Sequence, residues 1–188
     1  SWTELTGGES IAVEGDPSLP WRHFVGDPTV VTTGSGSLLM WFIGRDPVTG
    51  STALGRASSA DGKEWSVDDQ PVRLEPETVD PAPFERDGIA EPVVVRRGEV
   101  LHLWYTGRSG SRAAIGYAVA QDLAGTIFRR IGPVLEPVEP WEARAVGGPA
   151  IVMLPRFEEP GATLSLWYEA GPAGLESIGL ATRLLPAR

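Results

Sequence analysis

Short apolar segments alternate with polar turns along the chain, and one pattern of segments occurs three times. In each occurrence a tryptophan lies in an apolar run, and these tryptophans, Trp41, Trp104 and Trp167, are 63 residues apart in both intervals. A proline and a second apolar run precede each tryptophan segment; the prolines are Pro28, Pro92 and Pro149. The pattern predicts one structural unit that is repeated three times.

The segments have the length and composition of β-strands. They are rich in Val, Leu, Trp and Tyr and are bounded by Gly, Asp and Ser turns, which is typical of consecutive antiparallel strands. No long apolar stripe at helical spacing occurs, so no helix is predicted. Repeats one and two add a fourth strand, expected over 65–74 and 128–135. Repeat three lacks one, but the N-terminal segment 2–14 has the same form, an aromatic residue and then an apolar run ending in Glu.

A repeat that is cut inside a unit suits a closed ring, because the N-terminal strand can complete the last sheet and remove an open edge. We therefore predict an all-β fold, a single β-propeller domain over 1–188 with four-stranded antiparallel blades. Blade one covers about 21–76, blade two about 84–137, and blade three about 141–183 together with strand 2–14. Two closures remain open, a three-bladed monomer and a six-bladed ring shared by a homodimer. The usual blade number of about 4 to 8 favours the dimer slightly.

Composition and charge exclude several other classes of protein. The 188 residues include 23 Gly and 17 Pro but are 41% hydrophobic, so a core can form between many turns. Cysteine is absent, which removes disulfides, thiolate metal sites and a cysteine nucleophile. The net charge of −9 would repel nucleic acid, and no apolar run reaches the roughly 20 residues of a membrane span. We expect a soluble domain, cytoplasmic or secreted after loss of a signal peptide, with no nucleic acid or membrane as partner.

The repeat motifs resemble those of a known family. They include Gly26-Asp27-Pro28 at the start of a blade, Leu103-Trp104-Tyr105-Thr106-Gly107 in a second strand, and 133–137, which reads Pro-Val-Leu-Glu-Pro. Over nearly the whole chain they look like blades of the five-bladed propeller glycosidases, the relatives of arabinanase, β-xylosidase, invertase and levansucrase, with the mannoside phosphorylases close by. The resemblance implies a carbohydrate ligand. No metal or cofactor motif accompanies it, so neither is expected.

The resemblance also implies where the catalytic carboxylates lie. In that family they stand at the start of the innermost strands, and glycoside cleavage needs one carboxylic acid and one carboxylate as base or nucleophile. Motif by motif, Asp27 before Pro28 takes the role of base or nucleophile. Glu91 before Pro92 takes that of acid or positioning group. The third place is Gly148, which has no carboxylate; Asp87 or Glu142 in the preceding loops are candidate substitutes.

Residues in the loops before these strands are candidates for binding a sugar. Aromatic rings can stack on sugar faces, and histidine or arginine side chains can bind hydroxyl or acidic groups. The candidate residues are Trp21, His23, Phe84, Arg86, Trp141 and Arg144.

Two functions are compatible with these residues. The first is a glycoside hydrolase-like propeller in which Asp27 and Glu91 are the working pair. The alternative is a non-catalytic propeller, a glycan-binding or assembly module, that has lost the third carboxylate. In the alternative, Asp27 caps a turn and Glu91 pairs with an arginine such as Arg86 or Arg144.

Overall fold

The computed structural model of the protein describes residues 13–75, 83–120, 122–154, 163–172 and 174–184. Within these ranges the chain forms β-strands joined by turns and three short 3₁₀ helices, so the all-β prediction is confirmed. The 3₁₀ helices are Pro20–Arg22, Pro83–Glu85 and Pro140–Glu142. The strands are β1 Phe24–Thr32, β2 Leu38–Arg45, β3 Thr52–Ser59, β4 Ser66–Val67, β5 Arg73–Glu75, β6 Gly88–Arg97, β7 Val100–Ser109, β8 Arg112–Ala120, β9 Ile127–Leu135, β10 Val146–Leu154, β11 Thr163–Ala170 and β12 Ser177–Leu184. No helix of the described ranges is long and apolar enough to cross a membrane.

The described strands form three sheets. The first sheet has the order β1-β2-β3-β4, the second β5-β9-β8-β7-β6, and the third β10-β11-β12. All neighbouring strands are antiparallel except β5 and β9, which are parallel. Each repeat of the sequence thus supplies a three-strand meander, whose short hairpin connections bring consecutive strands together.

The strand register confirms that the three tryptophans occupy equivalent positions. Trp41 lies opposite Thr29, Trp104 opposite Val93 and Trp167 opposite Ala150. In each case the opposite residue directly follows the repeat's proline. The three tryptophan strands therefore pair with the preceding strand in the same register.

Successive side chains of a β-strand point to opposite faces of its sheet. Side chains on one face of the second strand can therefore pack against the neighbouring sheet. Trp41 is fully buried in a cluster that includes Leu103 and Phe128 of the second sheet, and its Nε1 donates a hydrogen bond to the Gly125 carbonyl at 2.9 Å. Trp104 similarly packs with Val146 of the third sheet. The second sheet therefore lies between the other two, and the first strands β1, β6 and β10 are neighbours.

The fourth strand predicted for repeat one is divided between two sheets. Ser66–Val67 pairs with β3, but the segment then leaves the first sheet, and Arg73–Glu75 pairs with β9 of the second. Pro71 lacks the N–H that a continuing ladder needs. The crossing buries Val72 and Leu74 in the core between the sheets. The fourth strand predicted for repeat two is observed as β9.

The predicted N-terminal strand lies almost entirely outside the described residues, which begin at Val13. Val13 packs against Met40, Phe42 and Ala57 on the face of the first sheet that points away from the second. Completion of the third sheet by segment 2–14, and with it ring closure, stays a prediction.

Candidate functional site

The three residues before the repeat prolines share an unusual backbone conformation. The φ angles of Asp27, Glu91 and Gly148 are +52°, +53° and +56°. At each of them the pairing with the second strand shifts register, which is the mark of a β-bulge. Glycine adopts this left-handed conformation easily, whereas in other residues it costs on the order of 1–3 kcal/mol and is concentrated at functional sites. The structure describes three non-glycine residues with positive φ, and Asp27 and Glu91 are two of them.

Hydrogen bonds connect these equivalent positions in series. Asp27 Oδ2 accepts a hydrogen bond from the Glu91 backbone N–H at 3.2 Å. Glu91 Oε2 accepts one from the Gly148 backbone N–H at 2.8 Å. Each carboxylate therefore binds the backbone of the next repeat at the corresponding residue. Asp27 and Glu91 thus lie on adjacent first strands, and the Asp27 carboxylate contacts the Glu91 backbone.

Glu91 has further partners from the second strand of its own sheet. Thr106 Oγ1 donates to Glu91 Oε2 at 2.6 Å, and the Arg108 guanidinium lies 3.4 Å from Oε1. The arginine that pairs with Glu91 is thus Arg108, and neither Arg86 nor Arg144, which the sequence suggested. These donors hold the Glu91 carboxylate in one orientation, since a carboxylate accepts several hydrogen bonds at once.

Glu91 faces an open cleft of about 610 Å³ between the second and third sheets. The cleft is also lined by Thr106, Arg108, Arg144, Gly148 and Glu169. Its volume is within the usual range of ligand sites, about 300–1,000 Å³. Asp27 does not line it; its exposed carboxylate lies on the first-sheet side of the Glu91 backbone.

The predicted aromatic ligands pack against the protein instead of lining this cleft. Each lies in a 3₁₀ helix and covers the second strand of its own sheet. Phe84 stacks on Tyr105 with ring centroids 6.3 Å apart, and Trp141 stacks on Tyr168 at 6.0 Å. Trp21 covers Gly44, where a Cβ atom would come within 2.3 Å of the Trp21 carbonyl oxygen. Trp141 remains 41% exposed, so part of its ring is open to solvent.

The predicted polar ligands are distributed over different places. Arg144 shares the cleft with Glu91. Arg86 lines a separate cavity of about 670 Å³ between the first and second sheets. The His23 ring contacts Phe24 edge-on, at 4.7 Å between centroids. Of the predicted binding residues, only Arg144 therefore lies beside Glu91 in the cleft.

The two substitute acids suggested by the sequence are engaged elsewhere. The Asp87 carboxylate accepts a hydrogen bond from the Gly110 backbone N–H. Glu142 is buried and accepts hydrogen bonds from the Tyr168 hydroxyl at 2.7 Å and from the backbone of Val138 and Glu139. Burial alone would raise the pKa of Glu142, but these donors outweigh it and hold the pKa below its usual range. Both carboxylates stabilise loops.

Glu142 belongs to a repeated contact that sequence reasoning missed. In repeat two, Tyr105 donates in the same way to buried Glu85 at 2.5 Å, and Arg130 forms an ion pair with Glu85 at 2.9 Å. Burial and the adjacent carboxylate raise the pKa of both tyrosines, that of Tyr168 to about 12. The recurring Pro-aromatic-Glu triplets at 83–85 and 140–142 were the available signal.

Sequence reasoning also missed Glu169, an exposed carboxylate on β11. It lies opposite Gly147 in the third sheet, and Thr106 lies opposite Ala90 at the equivalent place in the second. A Cβ atom on Gly148 would lie 3.2 Å from the Glu169 carboxyl carbon. The signal in the sequence was an acidic residue in an otherwise uncharged tryptophan strand.

Among the described residues, no group of three or more Asp, Glu or His side chains could hold a metal ion.

Three neighbouring β-sheets, with bulges in the first strands at Asp27, Glu91 and Gly148, define the described architecture. Comparison with known proteins agrees with this fold. No family model matches the sequence, and no curated protein is similar to it in sequence. Solved structures of glycoside hydrolases, however, share the fold.

One of them is a family 117 glycoside hydrolase produced by the marine bacterium Zobellia galactanivorans, with a TM-score of 0.67 and 18% identity over 91% of this chain. Another is a thermostable family 43 glycoside hydrolase, with a TM-score of 0.60 and 15% identity over 84% of this chain. A third represents the family 130 mannoside phosphorylases, which contain glycoside hydrolases that target β-1,2-mannosidic linkages; its TM-score is 0.64 and its identity 13% over 96% of this chain. The present chain spans 56%, 47% and 60% of their lengths. At these identities, the likeness shows the fold alone.

Proposed function

We propose that this protein is a carbohydrate-active propeller that cleaves a glycosidic bond by paired-carboxylate chemistry, with Asp27 and Glu91 as the pair. The observation that carries the proposal is their shared strained geometry. Both have a positive φ at the same place of successive repeats, and they are joined through the Glu91 N–H. The bulge conformation itself is available to glycine, as at Gly148, so the conformation does not require an acidic residue. Acidic residues at two strained positions therefore favour a chemical function.

The surroundings of the two carboxylates suggest different roles. Asp27 is exposed and accepts one hydrogen bond, so it suits the base or nucleophile that meets the anomeric carbon or a water molecule. Glu91 is held by Thr106, Gly148 and Arg108. A carboxylate that is held by three donors suits a positioning group, which orients the sugar. We therefore propose that Asp27 is the base or nucleophile and that Glu91 positions the sugar.

The test is turnover of a panel of aryl glycosides and oligosaccharides by the wild-type protein and by Asp27→Asn. Asparagine keeps an oxygen acceptor for the Glu91 N–H and tolerates positive φ, so the fold should be preserved. We expect the thermal midpoint to stay within a few degrees while turnover falls at least about 100-fold. Asp16→Asn is the control. The Asp16 carboxylate does not line the cleft and is bound to Ser18 and Arg22, so this variant should retain turnover. Turnover that is indifferent to Asp27→Asn would refute the proposal.

The missing third carboxylate at Gly148 favours a second candidate, a glycan-binding propeller without catalysis. Its signature is calorimetric binding of an oligosaccharide without release of product. Substitution of Arg144, which lines the cleft, would then weaken binding.

We further propose that two chains share one six-bladed ring. The support is the outer strand of the third sheet, which exposes apolar side chains: Ile178 is 76% and Leu180 55% exposed. A second copy that packs against this strand would remove both the open edge and the exposed apolar surface.

A further inference from the structure

We infer that Glu169 supplies the carboxylate that Gly148 lacks and acts as the proton donor of the site. The inference rests on the proposed glycoside-cleaving function and names the acid for it. Its basis is that the carboxylate lies on the first strand in the second sheet but on the second strand in the third sheet. In the second sheet the first strand carries the carboxylate, Glu91, and the second strand carries its partner, Thr106. In the third sheet the first strand has Gly148 and the second strand has Glu169.

The strand register makes these two pairs equivalent. Thr106 lies opposite Ala90, directly before Glu91, and Glu169 lies opposite Gly147, directly before Gly148. A side chain on either strand of such a pair can reach the same space, because directly opposite residues of antiparallel strands have Cβ atoms about 4.5–5.5 Å apart. The third carboxylate has thus moved from β10 to β11 and remains at the same level of the sheet.

The space beside Gly148 is where this carboxyl group lies. A Cβ atom on Gly148 would meet the Glu169 carboxyl carbon at 3.2 Å, its Cγ at 3.3 Å and Oε2 at 3.5 Å. Glu169 therefore occupies the volume that a side chain at residue 148 would begin to fill. It also lines the same 610 Å³ cleft as Glu91, Arg108 and Arg144.

The hydrogen bonding of the two glutamates separates their roles. Glu91 accepts hydrogen bonds from Thr106 and Gly148 and pairs with Arg108, so a proton on it would displace one of these donors. For Glu169, the described part of the chain supplies no hydrogen bond and no ion pair. Glu169 is exposed and lines the cleft, so a ligand there can contact its carboxyl group.

The step that follows balances in atoms and charge. As the glycosidic bond breaks, its electron pair passes to the leaving oxygen, which takes the proton of Glu169. Water supplies the hydroxyl group to the anomeric carbon, and Asp27, which lies outside the cleft on the other side of the Glu91 backbone, takes the proton of that water. The substrate must therefore extend from the cleft past Glu91. Exchange with solvent then returns both carboxyl groups to their starting states.

Leaving-group dependence tests this assignment. An alkyl glycoside or oligosaccharide needs protonation of its leaving oxygen, whereas a dinitrophenyl glycoside does not. We expect Glu169→Gln to slow cleavage of the alkyl glycoside or oligosaccharide by about 10²–10⁴-fold. Cleavage of the dinitrophenyl glycoside should slow by less than about 10-fold. Asp27→Asn should slow both substrate classes alike.

Glu176→Gln is the matched control. Glu176 is also acidic and exposed and lines the same cleft, but its carboxylate already accepts a hydrogen bond from the Gly174 N–H at 2.7 Å within the β11–β12 turn. We expect its rates on both substrates to stay within a few-fold of wild type. The thermal midpoint of Glu169→Gln should be unchanged, because its side chain makes no described contact that the amide would break.

The outcomes distinguish this inference from the proposed function. If Asp27→Asn abolishes turnover but Glu169→Gln acts like Glu176→Gln, the donor assignment is wrong and the proposed function stands. An equal loss on both substrate classes for Glu169→Gln would also overturn the donor assignment. If the wild type turns over neither class of substrate, both the function and the assignment are rejected.

Discussion

At the scale of single residues, two buried, hydrogen-bonded carboxylates contrast with an exposed carboxylate at a strained position. Glu85 and Glu142 belong to the first kind and accept hydrogen bonds from the tyrosine of the second strand. Asp27 belongs to the second and has one hydrogen bond. Buried carboxylates must be satisfied to be stable, whereas a reacting carboxylate needs free acceptor capacity. Hydrogen bonding therefore separates the structural acids from the candidate catalytic ones.

The lowered pKa of Glu142 predicts a pH-dependent contribution to stability. A group whose pKa is lower in the folded state stabilises above its unfolded pKa, and this stability is lost as the pH falls through the folded pKa. In Glu142→Gln an amide would face the Val138 or Glu139 N–H, so we expect about 1–3 kcal/mol of destabilisation at pH 7. This difference from wild type should shrink below about pH 4.5.

Urea unfolding measured between pH 7 and pH 3 checks this prediction. Glu136→Gln, which changes an exposed carboxylate of the same loop region, should run parallel to wild type throughout. A constant difference between Glu142→Gln and wild type over this pH range would contradict the assigned role of Glu142.

At the scale of elements, the second strand of the first sheet links it to the second sheet. Its alternating side chains send Trp41 into the cluster shared with the second sheet and Phe42 to the opposite face. The one long-range hydrogen bond of Trp41, from Nε1 to the Gly125 carbonyl, ties the first sheet to the β8–β9 turn. Trp41 and Trp104 thus both contribute to contacts between sheets.

Trp41→Phe should lower the free energy of unfolding by about 2–4 kcal/mol. The change leaves a cavity at a fully buried site and leaves the Gly125 carbonyl without its donor. Trp65→Phe is the control, because the Trp65 Nε1 donates to the carbonyl of Gly62 only three residues away, and it should cost less than about 1 kcal/mol. Denaturant titration followed by circular dichroism measures both. Equal effects would show that Trp41 does not join the sheets.

At the scale of the whole molecule, the three sheets lie in chain order with their first strands adjacent, and the outer strand of the third sheet is exposed. Packing against a second copy would cover Ile178 and Leu180. The proposed six-bladed ring predicts a particle of twice 20.1 kDa by light scattering at micromolar concentration. A mass of 20.1 kDa across the concentration range would reject the shared ring.

Ile178→Lys should separate the copies without disturbing the fold of one chain, since this side chain is 76% exposed. We expect the scattering mass to fall towards 20.1 kDa with an unchanged circular dichroism spectrum. Val48→Lys, at an equally exposed site on the β2–β3 turn, should keep the wild-type mass.

The strands and their repeat follow from the sequence alone, because alternation, turn residues and the tryptophan spacing are local features of the chain. The same is true of Asp27 and Glu91, whose equivalence is visible beside Pro28 and Pro92. The crossing of 65–74 between two sheets could not be read in this way, since it depends on apolar partners of Val72 and Leu74 that are distant in sequence.

The neighbours of each carboxylate were decided by the tertiary structure. Thr106 and Arg108 reach Glu91 across the sheet, Gly148 reaches it from the next repeat, and Glu169 enters the space beside Gly148 from the adjacent strand. Short-range physics places each residue on a strand and on a face of that strand. Which charges then meet depends on register and on sheet-to-sheet packing, and these are set by contacts between segments some 15 to 60 residues apart.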